Sequence, residues 1–280
     1  MPTLEITTMI GCPLMCTYCP QDNLRTVYGD DVKYMSLDTF KTAVDKVPKD
    51  THIAFSGMAE AWVNPDCSDM LAYALETKHT VSIYTTLYNW SPGTVARVAE
   101  LMIQHSSQIE TVNIHMPDEY NNMKGWKYSE DWEFAFRTIT RVVLDLGIKL
   151  DAMTMSDQGG IHQDLDHLNL RLYKWVGWDR AGSLNLDQIK EQPVIFTKDL
   201  PGSIKCAATD YYDNNVLLPN GDVVLCCMDY DTRHIIGNLL TQTYNELFTG
   251  PEMTRIKELN ARPCATDKTL CRTCSGATAA

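Results

Sequence analysis

No stretch of the sequence approaches the roughly 20 consecutive apolar residues needed to cross a bilayer. The amino terminus, MPTLEITTMIGC, has neither a basic start nor an apolar segment of signal-peptide length. There is no run of lysine and arginine, and the formal net charge is −12. Nucleic acids and anionic membranes both call for a basic face, so neither is expected as a partner. A glycine-rich nucleotide-binding loop, internal repeats and low-complexity tracts are missing as well. These absences leave a cytoplasmic globular protein as the expectation.

What is present is cysteine. The chain has ten, an unusual number for 280 residues without an export signal. In a reducing compartment such cysteines serve as metal ligands or catalytic groups more often than as disulfides. They fall at 12, 16 and 19, at 67, at 206, 226 and 227, and at 264, 271 and 274. Clusters near both ends, with an almost cysteine-free middle, point to two separate metal sites. With 44 % apolar and 21 % charged residues, the rest of the composition is that of a packed domain rather than a disordered chain.

The first ~180 residues alternate short β-branched segments with amphipathic segments of helical length. Strands are expected at Leu4–Met9, His52–Ser56, Val81–Thr86, Thr111–His115 and Ile148–Met155, with a vaguer sixth near Leu170–Val176. Helices are expected at Leu37–Val47, Met70–Lys78, Val95–His105 and Glu130–Leu146, with starts marked by Ser36 and by Ser91 before Pro92. Such alternation implies parallel strands joined by crossovers. The expected fold is α/β, a partial (β/α)6 TIM-like barrel over residues 1–186. After it, Pro219-Asn220-Gly221-Asp222 between Asn215–Leu218 and Val223–Cys226 reads as a β-hairpin. A helix over Tyr244–Leu259 and a cysteine-rich tail complete residues 187–280, read as a small domain built around a metal rather than around its own apolar core.

Cys12, Cys16 and Cys19 lie in the loop after the first strand. Thiolates suit iron–sulfur clusters and zinc, and a structural zinc wants four ligands, whereas no fourth Cys or His follows nearby. Three thiolates can hold three irons of a cubane and leave the fourth open to a small molecule. A zinc site with a distant fourth ligand, or simply buried thiols, is the alternative.

The spacing C-x3-C-x2-C resembles the signature of the radical S-adenosylmethionine (SAM) superfamily. The resemblance implies a [4Fe–4S] cluster with an open iron for SAM, with Tyr18 near the adenine. Gly57 and Glu60, in Gly-Met-Ala-Glu after the second strand, resemble the superfamily's Gly-Gly-Glu-Pro segment, whose carboxylate receives the SAM ammonium. By the same likeness Thr85 and Thr86 would lie near the ribose and carboxylate of SAM, and His115 at the same mouth. Thr is also an ordinary strand residue, and a histidine there is as readily a satisfied structural one.

Cys206, then Gly221-x4-Cys226, then Cys271-x2-Cys274 resemble the SPASM extension in its short, twitch form. That likeness implies an auxiliary [4Fe–4S] cluster held by Cys206, Cys226, Cys271 and Cys274. Cys227 competes with Cys226 for one ligand place, and a four-cysteine zinc site is the alternative. Arg180 in Arg-Ala-Gly resembles an element that turns an arginine toward SAM or substrate; a structural salt bridge is the other reading.

Within the superfamily the pattern is most similar to the short aminocyclitol dehydrogenase type, such as 2-deoxy-scyllo-inosamine dehydrogenase. The resemblance therefore implies oxidation of a sugar or aminocyclitol alcohol, with a flavodoxin- or ferredoxin-type electron donor. Two rivals stand beside it. One is a ribosomal-peptide maturase forming a crosslink or epimerising a residue, for which Cys67, Cys227 or Cys264 would have to donate hydrogen. Such maturases often carry an added leader-binding domain, whereas here the first strand is expected at Leu4. The other rival is a non-catalytic zinc protein. No general base is apparent from the sequence.

Overall fold

The computed structural model describes residues 1–29, 32–154, 159–168, 170, 172–174, 177–178, 180–184, 194–195, 200, 202–263 and 269–280. The expected boundary at 186/187 and Cys264 lie outside the described residues.

Six parallel strands follow one another across the sheet in chain order: β1 (Thr3–Ile6), β2 (His52–Phe55), β3 (Val81–Thr85), β4 (Ile109–Met116), β5 (Lys149–Thr154) and β6 (Tyr173–Lys174). Between them lie α1 (Gln21–Tyr28), α2 (Leu37–Val44), α3 (Cys67–Glu76), α4 (Pro92–His105) and α5 (Glu130–Asp145). This is the expected α/β partial barrel. Strand β2 is covered on both faces, and each of its residues is buried. The helices start where sequence chemistry places them. Ser36 Oγ accepts from Thr39 N at 3.1 Å, and Ser91 Oγ, ahead of Pro92, accepts from Thr94 N at 3.1 Å. Helix α1, short and polar, was not anticipated.

β7 (Gly177–Trp178) and β8 (Val194–Ile195) form a small parallel pair. The remaining strands are β9 (Ile204–Cys206), β10 (Asn214–Leu217), β11 (Asp222–Val224), β12 (Ile235–Asn238) and β13 (Ala277–Ala279). β10–β11 is the expected hairpin, and Gly221 at its turn has φ +87°, a left-handed conformation in which glycine carries no steric penalty.

The carboxyl-terminal segment does not fold apart from the barrel. β10 pairs in parallel with β1, Leu4 facing Asn215 and Ile6 facing Leu217, so that β10, β11 and β12 extend one nine-stranded sheet. Leu217, Val223, Ile236, Leu247 and Ile256 belong to the same apolar core as the barrel strands. The hairpin and helices of this segment therefore pack into the barrel's core rather than around one of their own. At the cysteine corner, Ala181, Met228 and Leu270 form a small separate cluster against Cys226 and Cys274. The expected helix over Tyr244–Leu259 is two, α6 (Tyr244–Thr249) and α7 (Pro251–Ala261). Gly250 is extended (φ −67°, ψ 163°) and Pro251 opens the second helix, as a residue without an N–H to donate must. Among the described residues no helix is long and apolar enough to cross a membrane.

Candidate functional site

The strand β1 ends at Ile6, and the chain then turns into the loop carrying Cys12, Cys16 and Cys19. Met15 within it has φ +48°, an uncommon conformation for a side chain of that size. The segment after β4 clamps this loop: Thr17 N donates to Asn122 O at 2.9 Å, and Gly125 N to Leu14 O at 2.7 Å. From the other side, Cys19 Sγ lies 3.5 Å from the Tyr230 hydroxyl.

The loop after β2 lies directly on the end of β1. A Cβ on Gly57 would come within 2.3 Å of the Ile6 carbonyl oxygen, so only glycine allows that approach. Met58 N donates to Thr7 Oγ1 at 2.9 Å, and the Gln21 amide donates to the Met58 carbonyl. This seating places Glu60 against the end of β3. Its carboxylate accepts from Thr85 Oγ1 at 2.7 Å, from Thr86 N at 2.7 Å and from Thr86 Oγ1 at 2.8 Å. Burial raises the Glu60 pKa and these hydrogen bonds oppose the rise. The Trp62 backbone also bonds to this carboxylate, which is therefore pre-oriented.

A cavity of about 300 Å³ opens between these two loops. Cys12, Cys16, Cys19 and Tyr18 form one wall, and Gly57, Glu60, Thr85 and Thr86 another. His115 lines it too, its ring 6.5 Å from that of Tyr84 in an edge-on arrangement. Burial, with help from nearby Arg180, pushes the His115 pKa down to about 4, so at neutral pH the imidazole is uncharged. All three cysteines and every residue singled out for SAM thus border one space.

Arg180 reaches the same cavity by an unusual backbone route. Arg180 and Ala181 both have positive φ, 50° and 54°, a costly pair of left-handed non-glycine residues of the kind found at functional sites. The guanidinium lies 5.8 Å over the Tyr230 ring, and its Nε is buried without a hydrogen-bond partner. No carboxylate lies within ion-pair distance of it among the described residues, so the salt-bridge reading of Arg180 has no partner there.

The second cysteine set lines another cavity, of about 420 Å³. Cys206 comes from β9, held antiparallel to β13 with Cys206 opposite Ala277. Cys226 follows β11, and Cys271 and Cys274 come from a 3-10 turn over Leu270–Thr273. Arg272 fixes that turn: its guanidinium donates to the carbonyls of Gly202 at 2.5 Å, Arg262 at 2.7 Å and Leu259 at 3.0 Å. His234 Nε2 accepts from Leu270 N at 2.9 Å, while its Nδ1 meets Glu252 Oε1 at 2.6 Å. Cys226 and Cys274 pack against the cluster of Ala181, Met228 and Leu270, whereas Cys227 and Cys19 pack against the apolar cluster that includes Tyr230. Cys226 lines the second cavity, whereas Cys227 lines both.

The thiols are soft donors of the kind that suit iron–sulfur clusters, and each set lines a cavity. Burial also raises the thiol pKa of Cys12 to about 11 and of Cys271 to about 11, and raises those of Cys16, Cys19 and Cys226. A thiolate in such surroundings needs a strong positive charge beside it, which iron supplies.

Several lining residues carried no signal in the sequence. Glu5, Ser56, Tyr84 and Tyr230 border the first cavity, and Glu5 and Cys227 border both. The clue to Glu5 is strand alternation: Leu4 and Ile6 are fully buried on one face, so Glu5 points to the other. Cys67 sits fully buried at the start of α3, away from this lining.

Residues 206–275 match the SPASM family, an iron–sulfur cluster-binding domain. Beyond that segment the likeness is one of fold, to solved structures with bound AdoMet. The structure of BtrN in complex with AdoMet and 2-DOIA is similar over 98 % of this chain and 92 % of its own, at 15 % identity and a TM-score of 0.57. That of anSMEcpe with bound AdoMet is similar over 98 % and 88 %, at 12 % identity and 0.57. The complex of anSMEcpe with AdoMet and the Cp18Cys peptide gives 12 % identity and 0.56. No curated protein sequence matches the chain.

Proposed function

We propose that this protein is a radical SAM oxidoreductase that oxidises a carbinol carbon of a sugar or aminocyclitol to a carbonyl. In this reading Cys12, Cys16 and Cys19 hold a [4Fe–4S] cluster, and Cys206, Cys226, Cys271 and Cys274 hold an auxiliary one. With SAM bound and an electron delivered by a flavodoxin- or ferredoxin-type donor, the first centre supplies a 5′-deoxyadenosyl radical able to take hydrogen from an unactivated C–H bond.

The chain's own residues orient the reactants. Glu60, held by Thr85 and Thr86, receives the SAM ammonium in a charge-assisted contact. Gly57 lets that loop lie flat on β1, and Tyr18 flanks the adenine. His115 is neutral and offers a hydrogen bond without adding charge. Arg180, its Nε unpaired, binds an oxygen of the substrate or of SAM.

The observation that carries the reading is the shared wall. The cavity with three cysteines and the cavity with four abut across Glu5 and Cys227, so a substrate in the first lies beside an electron acceptor in the second. The likeness of fold to BtrN, solved with AdoMet and 2-DOIA, agrees with a polyol-sized substrate. One observation favours a second reading. Cys227 lines the first cavity, where its S–H can return a hydrogen atom to a substrate radical, as epimerisation of a sugar or peptide residue requires.

Anaerobic incubation with SAM, reductant and ring-deuterated 2-deoxy-scyllo-inosamine tests the proposal. Oxidation predicts deuterated 5′-deoxyadenosine and a ketone in equal amounts. Deuterium transfer with retained alcohol supports epimerisation, and absence of 5′-deoxyadenosine overturns both.

A further inference from the structure

The wall between the two cavities holds a carboxylate that neither the cysteine sets nor the SAM contacts use. Glu5 sits in the middle of β1, paired on both sides, opposite Val216 of β10 and Ala54 of β2. Its backbone is thus fixed by two strands, and its side chain borders both cavities. Ser56 Oγ, just past β2, donates to Glu5 Oε2 at 2.8 Å. The Cys227 thiol hydrogen-bonds to the same carboxylate, and Arg180 lies near enough to act on its charge.

Resting on the alcohol-oxidation reading, we propose that Glu5 is the general base that takes the hydroxyl proton of the carbinol being oxidised. Loss of the C–H hydrogen atom leaves a carbon radical that still bears O–H. In the proposed step that O–H bond breaks and a Glu5 O–H bond forms, and the negative charge passes from the carboxylate to the substrate oxygen. The product of the step is a ketyl anion, which is far more reducing than the neutral radical. It forms on the wall shared with the four-cysteine cavity, so proton and electron leave toward the same side.

The surroundings suit this role. A base must be ionised yet basic enough to accept a proton, which for a carboxylate means a pKa moved toward neutrality. Burial raises that of Glu5, while Ser56, Cys227 and Arg180 act against the rise and keep the anion accessible. Tyr84 of β3 also faces it and interacts with its charge. Two donors on the carboxylate fix its direction, and its other lone pairs are free for a substrate hydroxyl.

The test uses the reconstituted holoenzyme with ring-perdeuterated 2-deoxy-scyllo-inosamine. Glu5→Gln should still move deuterium into 5′-deoxyadenosine but form ketone at least ~100-fold more slowly, within the range assigned to a general base. Glu5→Asp should recover part of the rate. Equilibrium dialysis of the probe without reductant, where no turnover occurs, should give Glu5→Gln an affinity within about threefold of wild type. Ser56→Ala removes a donor to the carboxylate, so the acid limb of ketone formation should move to higher pH while folding is preserved.

Ketone formation by Glu5→Gln at the wild-type rate overturns the proposal. So does a loss of probe affinity matching the loss of rate, which would make Glu5 a recognition group, or an acid limb unmoved in Ser56→Ala. Wild-type enzyme that transfers deuterium without forming ketone removes the oxidation reading itself, and the base with it.

Discussion

The two cysteine sites are built in opposite ways. The first takes three thiols from one loop of eight residues, Cys12 to Cys19, and the folding of β1 delivers them together. The second gathers four thiols from β9, the turn after β11 and the turn before β13, spread over 69 positions from Cys206 to Cys274. The first has its partners within the parallel sheet, where Glu60, Thr85 and Thr86 are set by the ends of β2 and β3. The second depends, among the described residues, on Arg272 and on the His234–Glu252 pair to hold its ligand turn. A site made by local sequence can lose its metal and keep its frame, whereas one made by distant segments needs the metal or the clamp to stay assembled.

The sharpest break in this comparison is removal of the local set. Replacing Cys12, Cys16 and Cys19 together by Ala should leave about four of about eight irons and abolish 5′-deoxyadenosine formation, with the circular dichroism spectrum unchanged. Loss of fold in that variant would mean that the first loop also depends on its metal.

Next in size is the distributed set. Cys206→Ala or Cys271→Ala should still cleave SAM and take hydrogen from substrate, but should fail to release oxidised product. Product formed at the wild-type rate by a folded variant would make the second centre a structural clamp and favour epimerisation. Arg272→Ala, which orphans several buried carbonyls, should destabilise the protein by more than about 2 kcal/mol in urea unfolding. A loss below about 0.5 kcal/mol would show that the turn holds itself.

A smaller effect belongs to the Glu60 end of the first cavity. Glu60→Gln keeps the shape and removes the charge, so SAM affinity measured by equilibrium dialysis should fall by roughly 1.5–3 kcal/mol with iron content unchanged. Unaltered affinity would place the ammonium elsewhere.

The smallest is a pH effect. The His115 pKa is lowered from 6.5 to about 4, so between those values the unfolded chain binds more protons at this position than the folded one. Stability from this group is present above about pH 6.5 and is lost as pH falls toward 4. His52 and His79, also lowered by burial, act in the same direction. His115→Gln should therefore show a shallower decline in melting temperature between pH 7 and 5 than wild type; an identical decline would mean that His115 titrates normally.

The same contrast explains what could be read before the fold was known. Cys12, Cys16 and Cys19 declare themselves because their spacing is local, and the barrel strands do so because parallel strands covered on both faces are apolar runs. Glu5 is hidden inside such a run, and only its position between Leu4 and Ile6 betrays the face it occupies. Cys226 and Cys227 are adjacent in sequence, yet Cys226 lines the second cavity and Cys227 lines both, a distinction made by the turn after β11. The pairing of β10 with β1 joins residues more than two hundred positions apart, and no local pattern announces it. The break at Gly250–Pro251, by contrast, was written in the residues, but the apolar spacing on either side ran through it as one period. Arg180 depends on two left-handed residues that no local propensity favours.

The central claim is that the chain holds two iron–sulfur centres, one of which leaves an iron open to SAM. The direct measurement is metal analysis of anaerobically reconstituted protein together with electron paramagnetic resonance of its reduced form with and without SAM. The account predicts about eight irons per chain and two cluster signals, of which SAM alters one, and that one is absent in the Cys12/Cys16/Cys19 triple variant. Zinc in place of iron at both sites, or signals that SAM leaves unaltered, would contradict it.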